Sequence, residues 1–548
     1  MDTTLYPSGP TSAAASAPPA AAPALDRSTA RSILSTALLL GIGADALLRD
    51  LPVGLALGVW IATLALAAIS LLSRAERSVS RETAVWLVAA VLFAFACAWR
   101  NSNTLLPLDF LVTIGALGMA AVASSNAAAA LFARRLRDTL IAGVKALKGI
   151  FFGILPLAFR EAIAEGEAKR TGGRVLPLAR AAAISAALLL VFGALLRGAD
   201  PIFASLVTLP NVDMDVVASH VFLTGFFTWI VAGWSRTTVV VQAERHADTP
   251  ALPLRFGTLD ITMALGALNV LFAAFVLTQL GWFFGGEEFL RARTGLTAAA
   301  YARQGFFQLV WVVTLVVPVL IATRAMLQPG SALARRHTAL SLPIIGLLGA
   351  IMISAALRLK MYVHFYGLTT DRLYPLIFMG WLAAVLVWLA VTVLRDWGRP
   401  FVAGATISGL AALALLNLSD PDAFVARVNI ERAARTASTT QPSLDLAYLS
   451  RLHGHAVALA TQATLANPVG ADSSPLRAAD DAQRCIAART LLKRWGPLST
   501  TSLRQSSDAA WRFWNADDAA ATRVVGLNAN ALLQVQHATC KQPEHSDH

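Results

Sequence analysis

About eleven apolar stretches follow one another between residues 33 and 417, most of them near the length that crosses a bilayer. A hydrocarbon core about 30 Å thick needs ~20 mostly apolar helical residues. Backbone polar groups in lipid must be satisfied internally, which leaves helices as the natural spanning element. The stretches 53–72, 105–123, 216–240, 260–284, 305–325 and 374–395 reach that length with few or no charges. Those at 33–48, 84–99, 181–197, 340–357 and 401–417 complete the series. The predicted fold class is all-α: a polytopic transmembrane helix bundle over 31–417, with a small C-terminal helical domain over 418–548.

Composition agrees, because 56% of residues are hydrophobic and 14% charged, against about a quarter charged in soluble chains. The net charge of +12 does not imply nucleic acid. No soluble segment interleaves basic and aromatic residues, and lysines and arginines beside spans serve orientation and anionic lipid. No CxxC, HExxH or histidine pair at metal spacing occurs, so neither a metal nor another cofactor is expected. Cys97 lies inside an apolar stretch and reads as a packing residue.

Residues 1–30 are rich in Ala and Pro and read as a disordered tail. The segment 140–157 carries Lys145, Lys148 and Pro156, which predicts a helix lying in the headgroup plane. The stretch 131–180 is the most basic in the chain, with Arg134, Arg135 and Arg137 among its cations. With the N-terminus inside, the inner segments hold more than twice the Lys and Arg of the outer loops. That orientation places 131–180 against anionic lipid at the cytoplasmic face and the C-terminus outside, in a bacterial cytoplasmic (inner) membrane.

From residue 418 the chain is nearly charge-balanced. Asp420-Pro421 reads as an N-cap followed by proline at the first helical position. Trp495, Trp511, Phe513 and Trp514 are candidates for a small core. In an oxidising space Cys485 and Cys540 can pair; spacing alone leaves the bond open. A protein partner docking through 418–548 is an expectation of the same kind.

Two outer loops share a pattern: Gly295-Leu296-Thr297 leading to Tyr301 and Arg303, and Gly367-Leu368-Thr369 leading to Arg372 and Tyr374. Each glycine permits a sharp turn and each threonine can cap the helix that follows. The match predicts a repeated two-helix unit over 260–325 and 340–395, and transporters place sites between such repeats. The second loop also breaks the charge rule. Arg358, Lys360, His364 and Arg372 lie among Tyr362, Tyr366 and Tyr374 on the side that should be poor in cations. An anionic headgroup, phosphate or glycan fits there; snorkelling into headgroups is the plainer alternative. Arg358 and Lys360 would diverge on a helix and share a face on an extended stretch. Asp200, beside Pro201, is a further candidate, with a simple turn as its alternative. The scarcity of acids inside the spans argues against a proton relay, and Asn269, Gln279 and Gln308 are expected to bond between helices.

Several motifs carry a family resemblance: Ala199-Asp200-Pro201-Ile202-Phe203, Tyr301-Ala302-Arg303-Gln304-Gly305-Phe306, Tyr366-Gly367-Leu368-Thr369 with Arg372 and Tyr374, Asp420 to Arg427, Asn429-Ile430-Glu431-Arg432, and Asp445 to Ser450. Over roughly 180–460 the chain resembles a bacterial family of multi-pass membrane proteins of unknown function, of the DUF4173 or DUF4153 type. The resemblance implies a polytopic fold and no activity. It implies that the 358–374 region and the Asp420–Arg432 segment belong to one design.

Three readings of function remain at this point. One is a transporter or permease-like protein for an anionic or lipid-linked envelope component. Another is a non-catalytic scaffold or sensory partner. The last is a membrane enzyme acting on a lipid carrier; no catalytic set stands out for it.

Overall fold

The structure is a computed structural model that describes residues 25–49, 54–125, 136–158, 214–240, 258–294, 306–325, 331–392, 399–436, 444–466, 481–505 and 510–540, with a few isolated positions between them. Every regular element among these residues is helical. The bundle comprises α1 (Arg27–Leu48), α2 (Leu55–Arg74), α3 (Arg81–Trp99), α4 (Leu105–Ser125), α5 (Leu136–Phe152), α6 (Met214–Val239), α7 (Thr258–Thr294), α8 (Phe306–Ala325), α9 (Ala332–Tyr366), α10 (Thr370–Thr392) and α11 (Arg399–Ser419). Among the described residues nine helices are long and apolar enough to cross a membrane, and Gln308–Arg324 is a shorter apolar helix. The stretch 181–197 lies outside the described residues.

Bonds between described residues of different elements gather at two ends of the bundle. At one end Arg77 donates to the carbonyls of Ser124 (2.7 Å) and Val239 (2.5 Å), tying the α2–α3 turn to the last turns of α4 and α6. Thr338 donates to the Leu394 carbonyl at 3.2 Å on the α9–α10 side. At the other end, Arg49 reaches Ser219 (2.7 Å), Ser102 meets Tyr374 (2.9 Å) and Asn417 meets Asp109 (2.8 Å). A large apolar cluster fills the bundle between the ends. Within it Trp60 and Trp234 donate their indole N–H groups to carbonyls on other helices, Leu40 (3.0 Å) and Leu117 (2.9 Å). These bonds offset the cost of burying a donor. Asn269 likewise donates to Leu340 at 2.9 Å, the interhelical role expected of it.

Two expectations change here. The segment around 140–157 does not simply lie along a surface. Gly149 sits against Thr237 of α6, and Gly233 of α6 sits against the Ile150 carbonyl, so closely that a Cβ on either glycine would collide across the crossing, with Gly153 in contact beside them. This small-residue crossing lets two backbones approach, a packing that membrane helices favour. Nor do residues 358–366 form a loop. They are the last turns of α9, which ends only where Gly367 adopts φ 78.

A single residue, Asp420, separates α11 from the C-terminal cap. The cap holds α12 (Pro421–Thr436), a turn α13 (Leu446–Leu449), α14 (His455–Leu465), α15 (Asp481–Trp495), α16 (Thr500–Gln505), a 3-10 turn at Ala510–Phe513, α17 (Ala516–Leu527) and α18 (Ala529–Thr539). Cys485 on α15 and Cys540 after α18 form a disulfide, with Cα atoms 5.1 Å apart. Of the four aromatic core candidates, Trp495 is buried with Leu491, Val525 and Leu532. Trp511 and Trp514 are exposed instead. Their 3-10 turn is pinned to the bundle: Leu55 donates to the Trp514 carbonyl at 3.1 Å, and Arg512 donates to the Arg49 carbonyl at 2.8 Å. Leu368 and Leu373 of the bundle share a buried cluster with Val425, Leu446 and Leu449 of the cap, so the two parts have one continuous apolar contact.

Candidate functional site

The motif residues from three separate segments converge where the cap meets the bundle. Gly367 ends α9 in a left-handed conformation, and a Cβ there would lie 2.6 Å from Asn429 Oδ1. The Asn429 amide takes both polar groups of Leu368: Leu368 N–H donates to Oδ1 (2.9 Å) and Nδ2 donates to the Leu368 carbonyl (2.6 Å). The next helix begins at Thr370, whose N–H donates to the Tyr448 hydroxyl at 2.9 Å. One of the orphan amides of α10 is therefore satisfied from the cap. Burial pushes the Tyr448 phenol above its ordinary range.

The expected cationic–aromatic residues divide here. Arg372 lies over the Tyr362 ring, 4.1 Å from its centre, and donates to the Gly367 carbonyl. The Tyr362 and Tyr366 rings are 4.9 Å apart. Arg358, one helical turn before Tyr362, is buried at 4% exposure, whereas Lys360 is exposed. Two residues apart on a helix, these two cations point in different directions and share no face. Tyr374 turns away toward Ser102. His364 occupies the helix between them. Tyr301, Arg303 and Asp200 lie outside the described residues, as does the Gly295-Leu296-Thr297 loop.

Sequence reasoning missed the strongest electrostatic feature of the junction. Arg100, just past α3 and 6% exposed, places Nη1 3.0 Å from both Asp420 Oδ2 and Asp517 Oδ1. Its Nε donates to the Asn417 carbonyl at 2.8 Å. Asp517 also accepts from Asn101 N–H (3.2 Å), and the Asn101 side chain donates to Asp518 at 2.7 Å. Burial pushes both the Asp517 and Asp518 carboxyls above the usual range, outweighing the lowering by Arg100 at Asp517. A second chain runs through the cap, from Asp422 to His453 N–H (2.9 Å) and from the His453 ring to Arg494.

Asp420, His455 and Asp517 bring three potential ligand atoms within 4.8 Å of one another. The Arg100 guanidinium already stands on both carboxylates, and His455 Nδ1 bonds Asp420 at 2.8 Å. The three ligand atoms are thus already engaged with Arg100 and with one another, as in an ion-paired junction.

Ionisable residues also enter the spans. On α1, Asp45 pairs with Arg49 and with His220 of α6, 2.5 Å from its ring. On α4, Asp109 is fully buried beside Asn417. Asp109 was legible as the one acid in Leu105–Ser124, but an average over an apolar window hides a single charge.

A family model described as "Domain of unknown function (DUF4153)" matches residues 83–463. That range runs from α3 through α14 and holds Arg100, Asp109, the Gly367 turn, Asn417, Asn429 and Tyr448. Asp517 and the disulfide lie beyond it. No curated protein and no solved structure matches the chain.

Proposed function

The chain belongs to the DUF4153 family, and on that premise we propose that this multi-pass integral membrane protein is permease-like, handling an anionic or lipid-linked component of the bacterial envelope at its capped end. The observation that carries the reading is Arg358. It is buried inside a helix whose spanning stretch is Ala332–Lys360, one turn from the Tyr362–Arg372 stack. A cation held inside a span is costly, and such residues usually face a site or pathway within the bundle. Tyr362, Tyr366 and Arg372 add aromatic and cationic side chains about a turn further on, the chemistry that takes a phosphate or carboxylate headgroup. We place the cap outside the cytoplasm, because the loop charges favour it and the Cys485–Cys540 bond suits an oxidising space. Residues 131–180 then meet anionic lipid on the inner face.

The test is complementation of a deletion strain of the native host, scored by envelope defects such as detergent sensitivity. Arg358→Gln with Arg372→Gln is expected to fail to restore the envelope while accumulating normally in the membrane. Full restoration would remove the site. Recovery of a defined protein partner that is lost on deleting 418–548, together with full restoration by the double variant, would favour the scaffold reading instead.

A further inference from the structure

The Asp109–Asn417 pair lacks a hydrogen. Asp109 lies in the second turn of α4 and is 0% exposed, and Asn417 lies in the last turn of α11 and is 6% exposed. Asn417 Nδ2 donates to Asp109 Oδ1 at 2.8 Å and to the Leu413 carbonyl at 3.1 Å, which uses both its hydrogens. Asp109 Oδ2 and Asn417 Oδ1 remain. Both are shut off from solvent and neither receives a hydrogen bond from a described residue. Buried acceptors in native proteins nearly always have a donor, and an orphan of this kind requires an explanation.

Among the described residues, the surroundings supply no positive charge to spare. From α3, Arg100 faces the pair and donates to the Asn417 backbone, but its Nη1 serves Asp420 and Asp517 of the cap. One guanidinium therefore already meets two carboxylates, and an ionised Asp109 would be a third negative charge beside them. From α3 Cys97 also lies within electrostatic reach of Asp109, and from α10 Tyr374 packs beside Leu105 and Leu413. Phe93, Leu105 and Leu413 form an apolar wall. A calcium or magnesium ion would need about six oxygen ligands, and this pair offers two. A proton on Oδ2 turns an acceptor into a donor and removes the third negative charge.

We infer that Asp109 and Asn417 form a proton-binding site, in which the Asp109 carboxyl holds a hydrogen on Oδ2 and the Asn417 carboxamide orients it. The ligand is a single proton, and binding converts the carboxylate to the carboxylic acid with no other bond made or broken. Asn417 is the positioning residue. Its backbone carbonyl is held by Arg100, so the site is joined through one side chain to the ion pairs that seat the cap. Use of the proton in a transport cycle rests on the permease reading above; its binding does not.

Infrared difference spectra of the full-length protein in lipid at neutral pH test the site. We expect the carbonyl band of a protonated carboxylic acid in the wild type, shifted in D2O, absent from Asp109→Asn and displaced in Asn417→Ala. No difference between the wild type and Asp109→Asn overturns the site. Should Asp109→Asn fail to accumulate, Asn417→Ala decides: a displaced band supports the pairing and an unmoved band overturns it. Complementation separates this from the permease reading. With the band present, loss of complementation by Asp109→Asn supports the coupled cycle, and full complementation overturns the coupling alone. With the band absent, the proton site falls even if Arg358→Gln with Arg372→Gln still abolishes complementation.

Discussion

Asn429 holds Leu368 by both of its backbone polar groups, at 2.9 Å and 2.6 Å, across the boundary between the cap and the bundle. A side-chain amide that replaces a strand-like or helical partner in this way fixes a turn that no regular element could satisfy. It explains why the Gly367 turn and the Asn429 block occur in one chain.

Removing that clasp has a foreseeable cost. Asn429→Ala leaves the Leu368 N–H and carbonyl without their partner, at about 1–3 kcal/mol for an abandoned buried group. We expect a lower midpoint of thermal unfolding in detergent for Asn429→Ala. Gly367→Ala should lower it as well, since its Cβ would meet Asn429 Oδ1 in a left-handed turn. A wild-type midpoint for both would show that the clasp does not form.

The Arg100 junction distinguishes a cation from a carboxylate. Arg100→Met leaves Asp420 and Asp517 buried close together with only the His455 ring beside them, a loss on the order of 3–5 kcal/mol. Asp517→Asn removes one charge and keeps most of the shape, so its effect should be clearly smaller. Limited proteolysis of the cap in membranes reads the difference, with faster release of the cap from Arg100→Met.

Asp517 and its neighbour Asp518 set a pH dependence. Asp517 and Asp518 titrate above the reference value of 3.8 because burial disfavours their charged forms. The folded state thus binds their protons more tightly than the unfolded chain. Their contribution is full below 3.8 and is lost as the pH rises through the folded-state values. Thermal midpoints measured from neutral to mildly acidic pH should rise on acidification, and Asp517→Asn with Asp518→Asn should flatten that rise. An equal slope in wild type and variant would contradict it.

The disulfide closes 55 residues of the cap. A loop of that length contributes about 4 kcal/mol in the chain-entropy account. Cys485→Ala with Cys540→Ala should therefore unfold the cap at lower temperature. Thiol alkylation followed by mass spectrometry should mark neither cysteine of the native protein until a reductant is added.

The bundle was legible because length and hydropathy alone decide it. Helices α2, α4 and α10 begin and end within a few residues of the apolar stretches that announced them. Charge misled the reading at α9. Arg358 and Lys360 look like a loop on a hydropathy scale, yet nothing between Ala355 and Tyr366 breaks a helix, and Gly367 does. Small-residue contacts were hidden for another reason. Gly149 matters because Thr237 lies opposite, and Gly233 because the Ile150 carbonyl does, which spacing within one segment cannot reveal. Arg100 was visible as a lone cation in a short connection. Its partners stand 317 and 417 residues away, so no local pattern points to them. The resemblance implies that the 358–374 region and the Asp420–Arg432 segment belong together, and the Asn429 bonds are the physical basis; the Asp445–Ser450 block joins them through Tyr448, which the resemblance did not imply.

The most direct measurement is the accessibility of the two ends of the bundle to a membrane-impermeant maleimide in intact cells. Cys97 is buried and Cys485 and Cys540 are bonded, so single added thiols report alone. Leu498 of the cap is 90% exposed, and Ser78 is exposed in the turn beside Arg77 at the opposite end. We expect Leu498→Cys to be labelled in intact cells and Ser78→Cys only after permeabilisation. Labelling of both from the same side would contradict the capped bundle, and the reverse pattern would place the cap in the cytoplasm.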